Sequence, residues 1–178
     1  MLDRFRSLII GLSLIVIVGL LALYFIVQIG GGEDVFGGRE GSLPPVDFAT
    51  LEYEPEDNGY LICAPGACGV ATADSVSPSF PVDAGQLRQV FADFADSNPT
   101  IQTFRFDLVE NQFDFTERLP GNTFPAVVTV KIQAVDPYNS TITLYSRQPV
   151  GSSNKSDHAD RVSRWLRVLL TATGAPQA

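Results

Sequence analysis

One histidine, two cysteines and a run of serines are the residues in this chain whose types invite chemistry. His158 is the sole histidine, with Asp157 beside it and Ser152, Ser153 and Ser156 close by. Imidazole is the common general base near neutral pH, and a serine in its reach is a common acyl nucleophile. A Ser–His–Asp relay, however, assembles from side chains on separate elements, and neighbours on one turn rarely converge. The simpler expectation is that Asp157 caps a helix and His158 is solvated in its first turn. There is no G-x-S-x-G elbow, no P-loop and no dinucleotide-binding glycine pattern. Carboxylates are plentiful, but nothing in their spacing assigns a pair to glycoside hydrolysis.

Cys63 and Cys68 bracket Ala-Pro-Gly-Ala. A Pro-Gly turn between them brings the two Cα atoms towards disulfide distance. In an oxidising compartment a structural bridge is the simplest outcome, contributing about 2 kcal/mol in the chain-entropy picture. Unpaired or reduced thiols are a second outcome. Redox catalysis is a third, but it favours a C-x-x-C pair at a helix N-terminus, where the thiol pKa falls. Two cysteines and one histidine fall short of the four ligands of a structural zinc, so neither a metal nor a cofactor is expected.

The bulk composition narrows the partners. The net charge is -8, the pI about 4.5, and 18% of residues are charged. Nucleic acid is a poor partner for such a chain, because binding needs cations that displace counterions from phosphate. Broad adhesion to anionic lipid is disfavoured for the same reason.

Position in the cell is read from the N-terminus. Leu8 to Ile29 holds no charge, and 22 helical residues span roughly 33 Å, enough for a hydrocarbon core of about 30 Å. Arg4 and Arg6 precede this run, while Glu33 and Asp34 follow it. The positive-inside rule then leaves residues 1–7 in the cytoplasm and carries the rest across. A cleaved signal peptide is the competitor, but its apolar region is about 7–15 residues and ends in a small-x-small site. Residues 30–45 contain six glycines and two prolines, a flexible tether with a typical reach of roughly 22 Å.

Residues 46–178 form the domain. Asp83 caps a helix over 84–97, with Leu87, Val90, Phe91 and Phe94 on one stripe. Phe104, Phe106 and Leu108 alternate with Arg105 and Asp107; Phe113 and Phe115 alternate with Gln112 and Asp114. After Pro120-Gly121-Asn122, Val128, Val130 and Ile132 alternate with polar residues, and Asp136-Pro137-Tyr138-Asn139 turns the chain into Thr141 to Arg147. These are half-buried antiparallel strands. Short strands near Phe48–Tyr53 and Tyr60–Cys63 extend the sheet. A last helix runs from near Asp157 to about Thr171, with Val162, Trp165, Leu166 and Leu169 inward and Arg161, Arg164 and Arg167 on the solvated side. Asn139-Ser-Thr141 and Asn154-Lys-Ser156 match the glycosylation sequon, which matters only in a eukaryotic secretory pathway.

Several of these segments together resemble the domain of unknown function 1499 family, an uncharacterised and mainly bacterial group. The likeness covers about Phe48 to Leu170. It rests on Cys63-Ala-Pro-Gly-Ala-Cys68, Ser77-Pro78-Ser79-Phe80 and Phe124-Pro125 before Ala126 to Val130. Its most distinctive part is Leu144-Tyr145-Ser146-Arg147, then Gly151-Ser152-Ser153, then Arg161-Val162-Ser163-Arg164-Trp165-Leu166. Members of the family often carry an N-terminal membrane segment, which agrees with the anchor. This chain departs from the pattern: Asn154 stands where an Asp usually follows the motif serine, His158 stands where Asn is usual, and extra residues separate Arg147 from Gly151. No activity is established for the family, so the resemblance implies a fold boundary more than a function.

The motif marks a strand end, a Gly/Ser turn and a helix start, and its candidate ligand-binding or structural residues are Tyr145, Ser146, Arg147, Gly151, Ser153, His158 and Arg161. Arg147 with N–H groups near Asp157 suits an anion or carboxylate. Equally, Arg147 pairs with an internal acid and pins strand to helix, which is the favoured expectation. The fold expected is α+β: an antiparallel sheet of about four to six strands with two helices packed on one face, preceded by one transmembrane helix. The expected function is a non-catalytic envelope module on the inner membrane with its domain in the periplasm. It would take a lipid-like or anionic ligand or another envelope protein. The alternative is an envelope enzyme, hydrolytic or thiol-based, using Ser153, His158 or the cysteine pair.

Overall fold

The computed structural model describes Gly19 and residues 43–176. The membrane segment expected at Leu8–Ile29 and nearly all of the tether lie outside the described residues. Among the described residues no helix is long and apolar enough to cross a membrane. Residues from Val46 onward form one compact unit.

Among the described residues from Val46 onward, seven strands and two helices follow in the order β1 (Gly59–Cys63), β2 (Ser75–Val76), β3 (Ser79–Phe80), α1 (Ala84–Asp96), β4 (Ile101–Asp107), β5 (Gln112–Glu117), β6 (Ala126–Ala134), β7 (Ser140–Arg147) and α2 (Lys155–Thr173). The α+β class stands, but the sheet is larger than expected and mixed. Its order is β2-β1-β7-β6-β5-β4, with β3 also paired to β7. β4 to β7 form an antiparallel meander, whereas β1 and β2 are parallel. Parallel neighbours need a long connection, and the Cys63–Cys68 turn lies inside it.

The helices form where caps and apolar stripes coincide. Asp83 Oδ1 accepts from Gly85 N at 2.7 Å and Gln86 N at 2.9 Å, starting α1 as expected. α2 starts at Lys155, two residues ahead of the expectation. Asn154 is its N-cap, and the Asp157 carboxylate accepts from Asn154 N at 3.1 Å, half of a capping box. Gly174, at φ +69°, ends the helix, and Ala175 N reaches back to Leu170 O at 3.0 Å.

Leu87, Phe91 and Phe94 of α1 and Val162, Trp165 and Leu169 of α2 share one core with Phe113, Phe115, Val128, Val130, Ile132, Ile142 and Leu144 of the sheet. Trp165 sits edge-on to Phe94 at 5.0 Å and to Phe115 at 5.5 Å. The opposite sheet face is also covered. Val46, Phe48 and Tyr53 pack there with Leu61 and Cys63, so Phe48–Tyr53 is not a strand but part of an outer layer. Phe106 and Leu108, expected to alternate inward, are each 55% exposed. They lie in and beyond an edge strand whose register shifts between Thr103 and Arg105.

Asp74 locks the outer layer. Its Oδ2 accepts from Tyr53 Oη at 2.5 Å and from Leu61 N at 2.8 Å, and Oδ1 pairs with Lys155 Nζ from the first turn of α2. Burial, and then the bond to Asp74, raise the Tyr53 pKa far above the usual phenol range. Lys155 Nζ also donates to Pro55 O.

Candidate functional site

The strand periods carry polar residues onto the helix-facing side at one end of the sheet. Glu117 continues the inward parity of Phe113 and Phe115, and Ser146 continues that of Ile142 and Leu144. On α2, His158 and Arg161 extend the buried stripe of Val162, Trp165 and Leu169 towards the N-terminus. All four meet. His158 is fully buried and Arg161 is 2% exposed, which corrects both the solvated histidine and the solvated arginine expected from sequence. Helical spacing cannot tell a solvated arginine from one facing a buried acid on another element, and Glu117 is that acid.

His158 bridges two serines. Its Nδ1 lies 2.9 Å from Ser146 Oγ and its Nε2 lies 2.7 Å from Ser153 Oγ. Arg161 Nη1 stands 3.1 Å from the same Nδ1 and donates to Ser146 Oγ at 3.3 Å. Arg161 Nε donates to Glu117 Oε2 at 2.8 Å, and Arg164 Nη2 donates to both Glu117 oxygens at 2.7 and 2.8 Å. Burial, and then the Arg161 guanidinium, lower the His158 pKa to about 4, against a weak opposing pull from Asp157. The ring is therefore neutral at pH 7 and carries one proton. A guanidinium can only donate, so Nδ1 holds the lone pair and the network assigns the proton to Nε2. His158 thus donates to Ser153. Arg161 is itself lowered by burial and held up by Glu117.

A cleft of about 280 Å³ opens beside Ser153, with Phe124, Gln148, Gly151, Asp157 and Arg161 in its walls. Gly151 has φ +86°, and a Cβ there would lie 2.9 Å from Phe124 Cδ2, so only glycine lets this turn close on the ring. Gln148 Nε2 donates to Val150 O at 2.8 Å and Pro125 O at 3.1 Å, tying the two loops that flank the cleft. Asn58 Nδ2 donates to Ser153 O at 2.6 Å.

Of the seven motif residues, Ser146, Gly151, Ser153, His158 and Arg161 gather here. Tyr145 and Arg147 do not. They fall on the opposite sheet face, where Tyr145 sits edge-on to Tyr53 at 5.4 Å and the Arg147 guanidinium lies 5.8 Å from the Tyr145 ring. Among the described residues Arg147 Nε is buried without a hydrogen-bond partner, and the internal arginine–acid pair that ties helix to sheet is that of Arg161 with Glu117. Cys63 and Cys68 are joined as a disulfide with Cα atoms 6.1 Å apart, in the outer layer away from the cleft. Among the described residues no group of three or more His, Cys, Asp or Glu could hold a metal ion.

No protein-family model matches the chain, and no curated protein sequence matches it either. Among solved structures, the chain is similar in part to the following two. The crystal structure of Ara h 8.0201 is 12% identical at a TM-score of 0.41, covering 55% of this chain and 90% of that one. An uncharacterised protein from Bacillus thuringiensis is 14% identical at a TM-score of 0.42, covering 55% of this chain and 96% of that one.

Proposed function

We propose that the chain is a membrane-anchored, extracytoplasmic binding module of the domain of unknown function 1499 family. Its cleft beside Ser153 takes a small polar ligand, and the module is not an enzyme. One observation carries this: Arg161 faces His158 Nδ1 at 3.1 Å. A serine nucleophile needs a histidine that accepts its proton. With the ring proton on Nε2, Ser153 accepts instead, and its own O–H remains available as a donor towards the cleft. A pKa of about 4 makes His158 a weak base at neutral pH as well.

The ligand class follows from the walls. The Arg161 and Arg164 guanidiniums are balanced by the Glu117 and Asp157 carboxylates, two charges of each sign, so neutral hydroxyl, carbonyl or amide groups suit the cleft better than an anion. Anchor and periplasmic location rest on the uncharged Leu8–Ile29 run and its flanking charges.

Native mass spectrometry of the full chain, gently solubilised, tests the proposal. A reproducible extra mass that is lost in Ser152→Trp, an exposed substitution that fills the cleft, would support it. Ester hydrolysis abolished by Ser153→Ala, with no bound mass, would overturn it.

A further inference from the structure

Five of the large apolar side chains that the domain exposes gather at one end. Phe106, Leu108 and Val109 surround the β4–β5 turn, and Val135 and Tyr138 belong to the β6–β7 turn. All are more than half exposed, Val109 at 92% and Tyr138 at 79%. The antiparallel register puts both turns at the same end. Gln112 pairs with Lys131, Ile132 N donates to Asn111 O at 2.9 Å, and β6 runs on to Ala134 before turning. Both turns are braced. Asp107 Oδ1 accepts from Val109 N and Glu110 N at 2.9 and 3.0 Å, and Asp136 Oδ1 accepts from Tyr138 N and Asn139 N at 2.7 and 2.8 Å. Aliphatic and aromatic tips held outward on rigid turns are a presented surface.

The chain enters the domain at this end, where Gln112 Nε2 donates to Val46 O at 2.7 Å. The cleft lies at the other end, beside Glu117, Ala126 and Ser146. From Ala126 to Ala134 the strand rises roughly 27 Å at about 3.4 Å per residue. A tether of residues 30–45 reaches roughly 22 Å on average, which favours the near end over the far one.

We infer that the two hairpin tips, Leu108, Val109 and Tyr138 foremost, rest on the zwitterionic headgroup surface of the bilayer that anchors the chain, with the cleft facing away from it. The inference rests on the membrane-anchor reading above. Aliphatic residues with a tyrosine suit the headgroup boundary. Asp107, Glu110 and Asp136 stand among the tips, and Lys131 is paired with Glu110 at 3.0 Å, so anionic lipid is disfavoured. A short tether holds the domain at high effective concentration near the bilayer, so a weak contact suffices.

The test uses the full chain in phosphatidylcholine vesicles, spin-labelled at Val109→Cys or Tyr138→Cys, with Asn122→Cys as the far-end control and the native disulfide intact. Collision with oxygen, relative to a water-soluble nickel chelate, should be severalfold higher at 109 and 138 than at 122. Labels at all three sites that collide freely with the chelate, in protein retained through alkaline carbonate washing, would overturn the docking and leave the anchor standing. Release by carbonate would overturn the anchor and the docking with it. Tip labels shielded from both reagents would mean that a second copy of the chain, not lipid, covers the tips.

Discussion

Acidification from pH 7 to pH 5 is expected to destabilise the domain by about 2 kcal/mol through His158 alone. In the unfolded chain the imidazole titrates near 6.5, whereas in the fold burial and the Arg161 guanidinium hold it at about 4. Between these values the unfolded chain carries a proton that the folded chain excludes. The His158 contribution to stability is therefore fully present above 6.5, falls as the pH drops through the window, and levels off below about 4. At about 1.36 kcal/mol per pH unit the whole window is worth roughly 3 kcal/mol. The chain has no other histidine, so the effect has one source. Urea titrations of the Val46–Ala178 unit at pH 7, 6 and 5 measure it as a midpoint shift at constant m. His158→Gln in the same buffers subtracts the carboxylates. A His158→Gln protein that loses stability as steeply as the wild type would refute the reasoning. So would an imidazole C2–H resonance that titrates near 6.5.

Glu117→Gln should cost about 3–5 kcal/mol in urea unfolding, because it strands the buried Arg161 charge. Arg161→Met should cost less, since Glu117 keeps the half-exposed Arg164 as a partner; the reverse order would contradict the ion-pair account. Replacing both Cys63 and Cys68 by serine should lower stability by about 2 kcal/mol and leave ligand binding unchanged, because the bridge belongs to the outer layer; a binding defect would connect it to the cleft. Gly151→Ala forces a Cβ against Phe124 at a positive φ and should cost about 1–3 kcal/mol, read by thermal melting.

Much of this architecture is legible in the residues. The cap at Asp83, the inward parity of β5 to β7 and the α2 stripe all follow from period and capping chemistry. The polar site was harder because its partners are distant in sequence. Glu117 and Ser146 sit at inward positions just past apolar residues, and His158 and Arg161 sit one turn before Val162 and Trp165. Polar residues that prolong an inward stripe at an element end are the signal that could have found the cluster. Nothing local marks Asp74 or Lys155, whose roles arise only when the outer layer closes over the sheet. The parallel placement of β2 and the exposure of Phe106 likewise follow from tertiary arrangement, not from strand period.

The outer layer also decides how the domain carries load. A pull on the chain at Val46 meets the Val46–Gln112 hydrogen bond, then Phe48, then the latch by which Asp74 and Lys155 hold Tyr53 and Pro55, before it reaches β1. The paired strands, both helices and the cleft lie behind that latch. The layer therefore acts as a mechanical fuse. Residues 46–58 would pay out roughly 45 Å of contour at about 3.3–3.6 Å per residue while the folded remainder holds its shape. Single-molecule pulling from residue 46 should record that small extension ahead of the main rupture, and a single rupture without it would mean that layer and sheet fail together.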